Sequence, residues 1–85
     1  MKLVISSVNT GKEIDNVLYV DFPSNNGRLH ILKNHDNLIT LLGKGKFEYS
    51  LENNDIHNFN VEEGLVTVSN NTINVILTKY IGDIA

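Results

Sequence analysis

Apolar residues in this chain recur at every second position or in short runs, and each run ends in turn-forming residues. An extended strand points successive side chains to opposite faces, so this pattern predicts strands throughout. Leu3-Val4-Ile5 opens the first, and Asn9-Thr10-Gly11-Lys12 breaks it. Val17 to Phe22 forms the second, with Leu18, Val20 and Phe22 on one face and Val17, Tyr19 and Asp21 on the other. Pro23 is expected to stop it, because proline donates no hydrogen bond to a ladder. Ser24-Asn25-Asn26-Gly27 reads as a tight turn, built from residues that tolerate positive φ. A short strand carrying Leu29, Ile31 and Leu32 then runs into a polar corner, Lys33-Asn34-His35-Asp36-Asn37. A second apolar run, Leu38 to Leu42, follows and closes on Gly43-Lys44-Gly45.

Further along, Phe47, Tyr49 and Leu51 alternate with Lys46, Glu48 and Ser50, the mark of a half-buried strand with a wet outer face. Glu52-Asn53-Asn54-Asp55 is a hairpin turn into Ile56 to Val61. Ile56 and Phe59 have opposite parity, so a bulge is expected near His57-Asn58. Glu62-Glu63-Gly64 reads as a turn before Leu65 to Val68, and Asn70-Asn71 as a two-residue hairpin loop before Ile73, Val75 and Leu77. Thr78 to Ala85 either extends that last strand or frays. Asn37 to Leu42 is the best helical candidate and covers barely more than a turn. Thirteen asparagines gather at the turns, where they supply left-handed backbone geometry rather than chemistry. Short strands with turn signals between them predict an all-β fold, a flattened two-sheet sandwich or barrel of short antiparallel strands.

Composition narrows the possible functions. Residues 1–85 are one domain, with 41% apolar and 20% charged residues, as in a folded globular protein. Net charge is −3 and no basic stripe interleaves with aromatics, so no nucleic-acid partner is expected. The absence of cysteine excludes disulfides and thiolate metal sites. No apolar run approaches the ~20 residues that span a bilayer, and no signal peptide is evident, so the expectation is a soluble chain that reaches a membrane only through a partner.

Candidate chemistry is sparse. His30 and His35 bracket the corner and Asp36 adds a carboxylate, but the spacing matches no metal signature. His35-Asp36 lacks a nucleophile elbow, and adjacent strand residues point apart. Gly43-Lys44-Gly45-Lys46 lacks the following helix that a phosphate-binding loop needs. No catalytic, metal or cofactor site is therefore assigned. A domain of this kind works through a surface, and the corner with the apolar run after it is the candidate.

At Gly27 to Gly45 the sequence resembles the epsilon subunit of F-type rotary ATP synthases, in its N-terminal β-sandwich. That family carries a motif of the form G-E-L-G-I-L-P-N-H-A-P-L, matched here by Gly27, Leu29, Ile31, Leu32, Asn34, His35 and Leu38, with Gly45 closing. Glu63 to Val75 is similar to the family's G-G-F-x-E-V-x-x-N-x-V-T-V strand pair. The departures are Arg28 for an acidic residue, His30 for glycine, Lys33 for proline, and Asp36-Asn37 for Ala-Pro, which make the corner more basic than the family pattern.

The resemblance implies a non-catalytic central-stalk subunit that couples c-ring rotation to the gamma subunit during proton- or sodium-driven ATP synthesis. It implies a place on the cytoplasmic face of a bacterial plasma membrane, held there by the complex. The family's inhibitory helical hairpin and ATP-binding motif are expected to lie outside this chain. The gamma interface is assigned to His35, Leu38 and Thr40, with Leu38 as the apolar anchor, and the c-ring rim to Arg28, His30 and Lys33. Ile39 and Leu41 are expected to fill the core, and His35 either caps the turn or meets a partner. The alternative is a stand-alone sandwich that binds a small ligand or a peptide along a free edge.

Overall fold

The computed structural model describes residues 1–8 and 10–81. Eight strands follow in order: β1 (Lys2–Ser7), β2 (Thr10–Ile14), β3 (Val17–Ser24), β4 (Gly27–Leu32), β5 (Leu38–Leu42), β6 (Gly45–Leu51), β7 (Ile56–Ser69) and β8 (Thr72–Ile81). There is no helix among the described residues, and Asn37 to Leu42 contributes strand β5 instead. Of Thr78 to Ala85, β8 takes up the residues to Ile81 and the remainder lies outside the described residues, as does Asn9.

All eight strands belong to one hydrogen-bonded sheet, in the order β2-β1-β8-β7-β5-β3-β4, with β6 pairing both β3 and β7. The sheet folds over into two layers. In one, β4, β3 and β6 run on to the first half of β7, where β6 pairs residues 56–61. In the other, β5 pairs residues 64–68 of β7, and β8, β1 and β2 follow. A single pairing, Ser24 with Leu42, joins β3 to β5 and closes the ring β3-β6-β7-β5. The first and last strands meet in parallel, an exception to the expected antiparallel pattern, with Lys2 beside Thr72 and Ser6 beside Ile76.

Between the layers Val20, Phe22, Ile31, Phe47 and Phe59 face Leu3, Ile5, Val66, Ile73 and Val75, all buried. Phe47 stacks on Phe22 at 5.7 Å and on Phe59 at 5.1 Å, joining β3, β6 and β7 through one aromatic cluster.

Several sequence expectations are corrected. Residues 10–12 do not end the ordered chain: Thr10 to Ile14 pairs antiparallel with β1 as edge strand β2. Pro23 lies within β3, paired with Arg28. It is tolerated there because the β6 ladder ends at Asp21 with Glu48, and the Pro23 carbonyl still accepts from Gly43 N–H at 2.8 Å. A register shift between Val17 and Tyr19 reverses parity, so that Val17 is buried while Leu18 is exposed.

No bulge occurs at His57-Asn58, where the pairing with β6 is regular and Ile56 faces solvent. The irregularity lies at Val61–Gly64, and Glu62-Glu63-Gly64 is not a turn but the bend by which β7 passes from one layer to the other. Here β8 comes so near that a Cβ on Gly64 would press on the Ile76 carbonyl oxygen, which favours glycine. Asn16, Asn34, Asn54, Asn70 and Asn71 adopt positive φ, the left-handed role read for the asparagines.

Candidate interaction surfaces

Strand β5 alternates cleanly, but with the opposite sense to that expected for its middle. Leu42 is buried and Leu38 and Thr40 are half-buried, whereas Ile39 and Leu41 point outward, 75% and 55% exposed. Ile39 and Leu41 are therefore not core residues. Leu38 packs against the core and is not a free apolar anchor. The register sets Leu41 beside Leu65 and Leu65 beside Ile76, which is itself 46% exposed. With Ile39 one step along, these side chains make an apolar strip across three strands on the outside of the layer. Shallow grooves border it at each end. One, of about 620 Å³, lies by Leu41, Lys44, Glu62 and Leu65, and the other, of about 400 Å³, by Leu38, Ile39 and Thr67.

The outside of the other layer is mixed: Leu32 and Ile56 are exposed there, beside a polar cluster built on Asp21. The two-residue loop Asn25-Asn26 sets Ser24 opposite Gly27, and counting back from it puts Asp21 opposite His30. Arg28 Nε donates to Asp21 Oδ1 at 2.7 Å, and His30 Nδ1 lies 3.0 Å from Oδ2 of the same carboxylate. A second guanidinium nitrogen of Arg28 donates to the Lys46 carbonyl at 2.8 Å. Partial burial pushes the Asp21 carboxyl up, but the hydrogen bonds and charges of His30 and Arg28 outweigh it and hold the group below its ordinary value.

Beside them Tyr19 lies 4.6 Å from the His30 ring and donates its hydroxyl to Glu48 at 2.9 Å, which keeps the phenol proton on and raises its pKa. Arg28 and His30 are thus brought together, on a carboxylate that offsets the basic excess read from the corner. Lys33 is not with them; it lies past the end of β4. Asp21, Tyr19 and Glu48 are not among the interface residues expected from the sequence, although Glu48 was expected on a wet face and the register from the Asn25-Asn26 turn places Asp21 opposite His30.

The corner itself, residues 33–37, is exposed throughout. Its turn closes with His35 N–H to the Leu32 carbonyl at 3.2 Å, with Asn34 in the left-handed region at φ 65°. His35 Nδ1 lies 2.7 Å from the Asp36 carbonyl, which only accepts, so that nitrogen carries the proton and the ring caps the turn. Among the described residues no three His, Asp or Glu side chains converge to hold a metal ion.

Over residues 1–81 the chain matches the family described as the β-sandwich domain of the ATP synthase delta/epsilon chain. It is 37% identical over 62 residues to the ATP synthase epsilon chain of Lawsonia intracellularis, a match covering 73% of this chain and 46% of that protein. Among solved structures it resembles a chain of the Tetrahymena thermophila mitochondrial ATP synthase central stalk and c-ring, with TM-score 0.77, 16% identity, and 92% of this chain and 63% of that one covered. A chain of the Euglena gracilis mitochondrial ATP synthase, solved with OSCP, F1 and c-ring, gives TM-score 0.82 at 14% identity, covering 93% of this chain and 51% of that one. At such identities the structural likeness speaks to the fold. The chain spans about half the length of the curated relative it matches.

Proposed function

Since the chain belongs to the ATP synthase delta/epsilon β-sandwich family, we propose that it acts as the epsilon subunit's sandwich in the central stalk of a rotary ATP synthase. In this reading residues 1–85 work as one non-catalytic domain that joins rotation of the c-ring to the gamma subunit during ion-driven ATP synthesis. The domain sits at the membrane surface of a bacterium through the complex it joins.

The observation that carries the proposal is the apolar strip Ile39–Leu41–Leu65–Ile76, on the outer side of a layer whose inner side already fills the core. Apolar side chains held in register across three strands are a surface for a lasting partner rather than for water. Gamma is the partner assigned to it. The earlier assignment of Leu38 and Thr40 moves one residue along β5, to Ile39 and Leu41, and His35 stays at the rim of the same surface. The c-ring is assigned to the charged side, where Arg28 and His30 lie on the outer face of β4 and Lys33 just beyond its end. A coupling subunit needs two such surfaces with a stiff body between them, and a close-packed core deforms little under load.

Co-purification with gamma tests this. Ile39→Asp with Leu41→Asp is expected to abolish co-purification and leave the fold intact, because both side chains already face solvent. Retention of gamma by the folded double variant overturns the assignment.

A further inference from the structure

We propose that Asn71, at the tip of the β7–β8 hairpin, is the positioning residue that holds the corner 33–37 in its docking shape. Asn70 and Asn71 both have positive φ, 51° and 58°, as a two-residue hairpin turn of this kind requires. Glycine satisfies that backbone requirement equally well. The turn therefore does not need the Asn71 amide, which is engaged elsewhere. Its Oδ1 accepts from the Asn34 backbone N–H at 2.7 Å, and its Nδ2 donates to the Asn34 side-chain oxygen at 3.1 Å. The two bonds form a reciprocal amide latch between residues 37 apart in sequence. The Asn71 carbonyl also accepts from Lys2 N–H at 3.0 Å, so the hairpin tip that grips the corner is itself anchored to β1.

The corner has little else to hold it. Its five residues are exposed and outside any strand, and among the described residues its other hydrogen bonds stay local, from His35 to Leu32 and from His35 to Asp36. Asn34 is the hinge of that turn, in the left-handed region, and the latch seizes it by both backbone and side chain. An ordered corner reaches a partner without losing conformational freedom at the moment of binding. The purpose of the latch rests on the central-stalk reading above. Its existence does not.

Amide hydrogen exchange and binding to a detergent-solubilised c-ring test the two parts separately. In Asn71→Gly the Asn34 amide is expected to exchange roughly tenfold faster or more, as loss of this hydrogen-bond pair implies, while the β7–β8 ladder amides keep their rates. Asn71→Asp retains the acceptor for the Asn34 N–H and loses the donor, and is expected to restore most of that protection. Association with the c-ring is expected to weaken several-fold in Asn71→Gly and to recover in Asn71→Asp. Unaltered exchange at Asn34 in Asn71→Gly overturns the latch. Faster exchange with unchanged c-ring association overturns its positioning role. Failure of the wild-type chain to bind the c-ring at all tells against the central-stalk reading instead.

Discussion

Asp21 ties the polar cluster together, holding Arg28 and His30 on its two oxygens. Its carboxyl is held below the ordinary value of about 3.9, so the folded state favours the ionised form. A group shifted in this direction contributes stability that is complete above the unfolded value and is lost as pH falls through the folded one. Asp21→Asn is therefore expected to lower the urea midpoint at neutral pH, by an amount under about 1 kcal/mol for a pair so near solvent. The difference from the wild-type chain narrows only below about pH 4. Urea unfolding of both proteins across that range checks the sign, and a gap that widens in acid contradicts it.

At the scale of elements, β7 is the spine of the fold. Its 14 residues pair with β6, β5 and β8 in turn and carry the chain from one layer to the other. The passage works through two compensating irregularities, since Glu62 is the extra residue on β7 and Thr78 the extra residue on β8. Gly64 sits where the two backbones crowd together at the end of this bend. Gly64→Ala places a methyl group against the backbone of β8, which cannot swing aside as a flexible side chain can. A loss of about 1–3 kcal/mol is expected, measured as a lower urea midpoint at unchanged slope. The alternating pattern alone predicts little harm from this change, so the result separates a bend held by close approach from an ordinary surface turn.

At the scale of the whole molecule, one outer face carries the apolar strip and the other the Asp21–Arg28–His30 cluster, and the two proposed partners are expected to respond differently to salt. The apolar strip contributes through burial, which moderate salt does not screen, whereas charges near solvent are screened over about 10 Å at 0.1 M. Raising salt is expected to leave association with gamma nearly unchanged and to weaken association with the c-ring. Arg28→Gln is expected to flatten the c-ring salt dependence. It should change stability by no more than about 1 kcal/mol, because the Arg28 side chain is 48% exposed in its pair with Asp21. Binding measured over a salt series for both partners checks the division, and equal salt slopes for the two contradict it.

What the sequence determined by itself is local. Period-two alternation or a short apolar run ending in turn residues marks seven of the strands, because side-chain direction and turn chemistry depend only on neighbouring residues. The asparagine and glycine turns are legible for the same reason: left-handed backbone is a property of the residue that adopts it, as at Asn70 and Asn71. The family motif at Gly27 to Gly45 was likewise readable in the chain.

Tertiary structure decided whatever depends on distant partners. Alternation showed that β5 has two faces but could not show which one meets the core. That depends on the layer stacked against it, and so Ile39 and Leu41 emerged outside while Leu38 turned in. The Glu-Glu-Gly sequence at residues 62–64 has the composition of a turn, and only pairing with β8 carries it on as part of one continuous strand. The polar corner could be seen in the sequence. Its shape depends on Asn71, which chain connectivity places far away and the folded sheet brings within hydrogen-bonding reach.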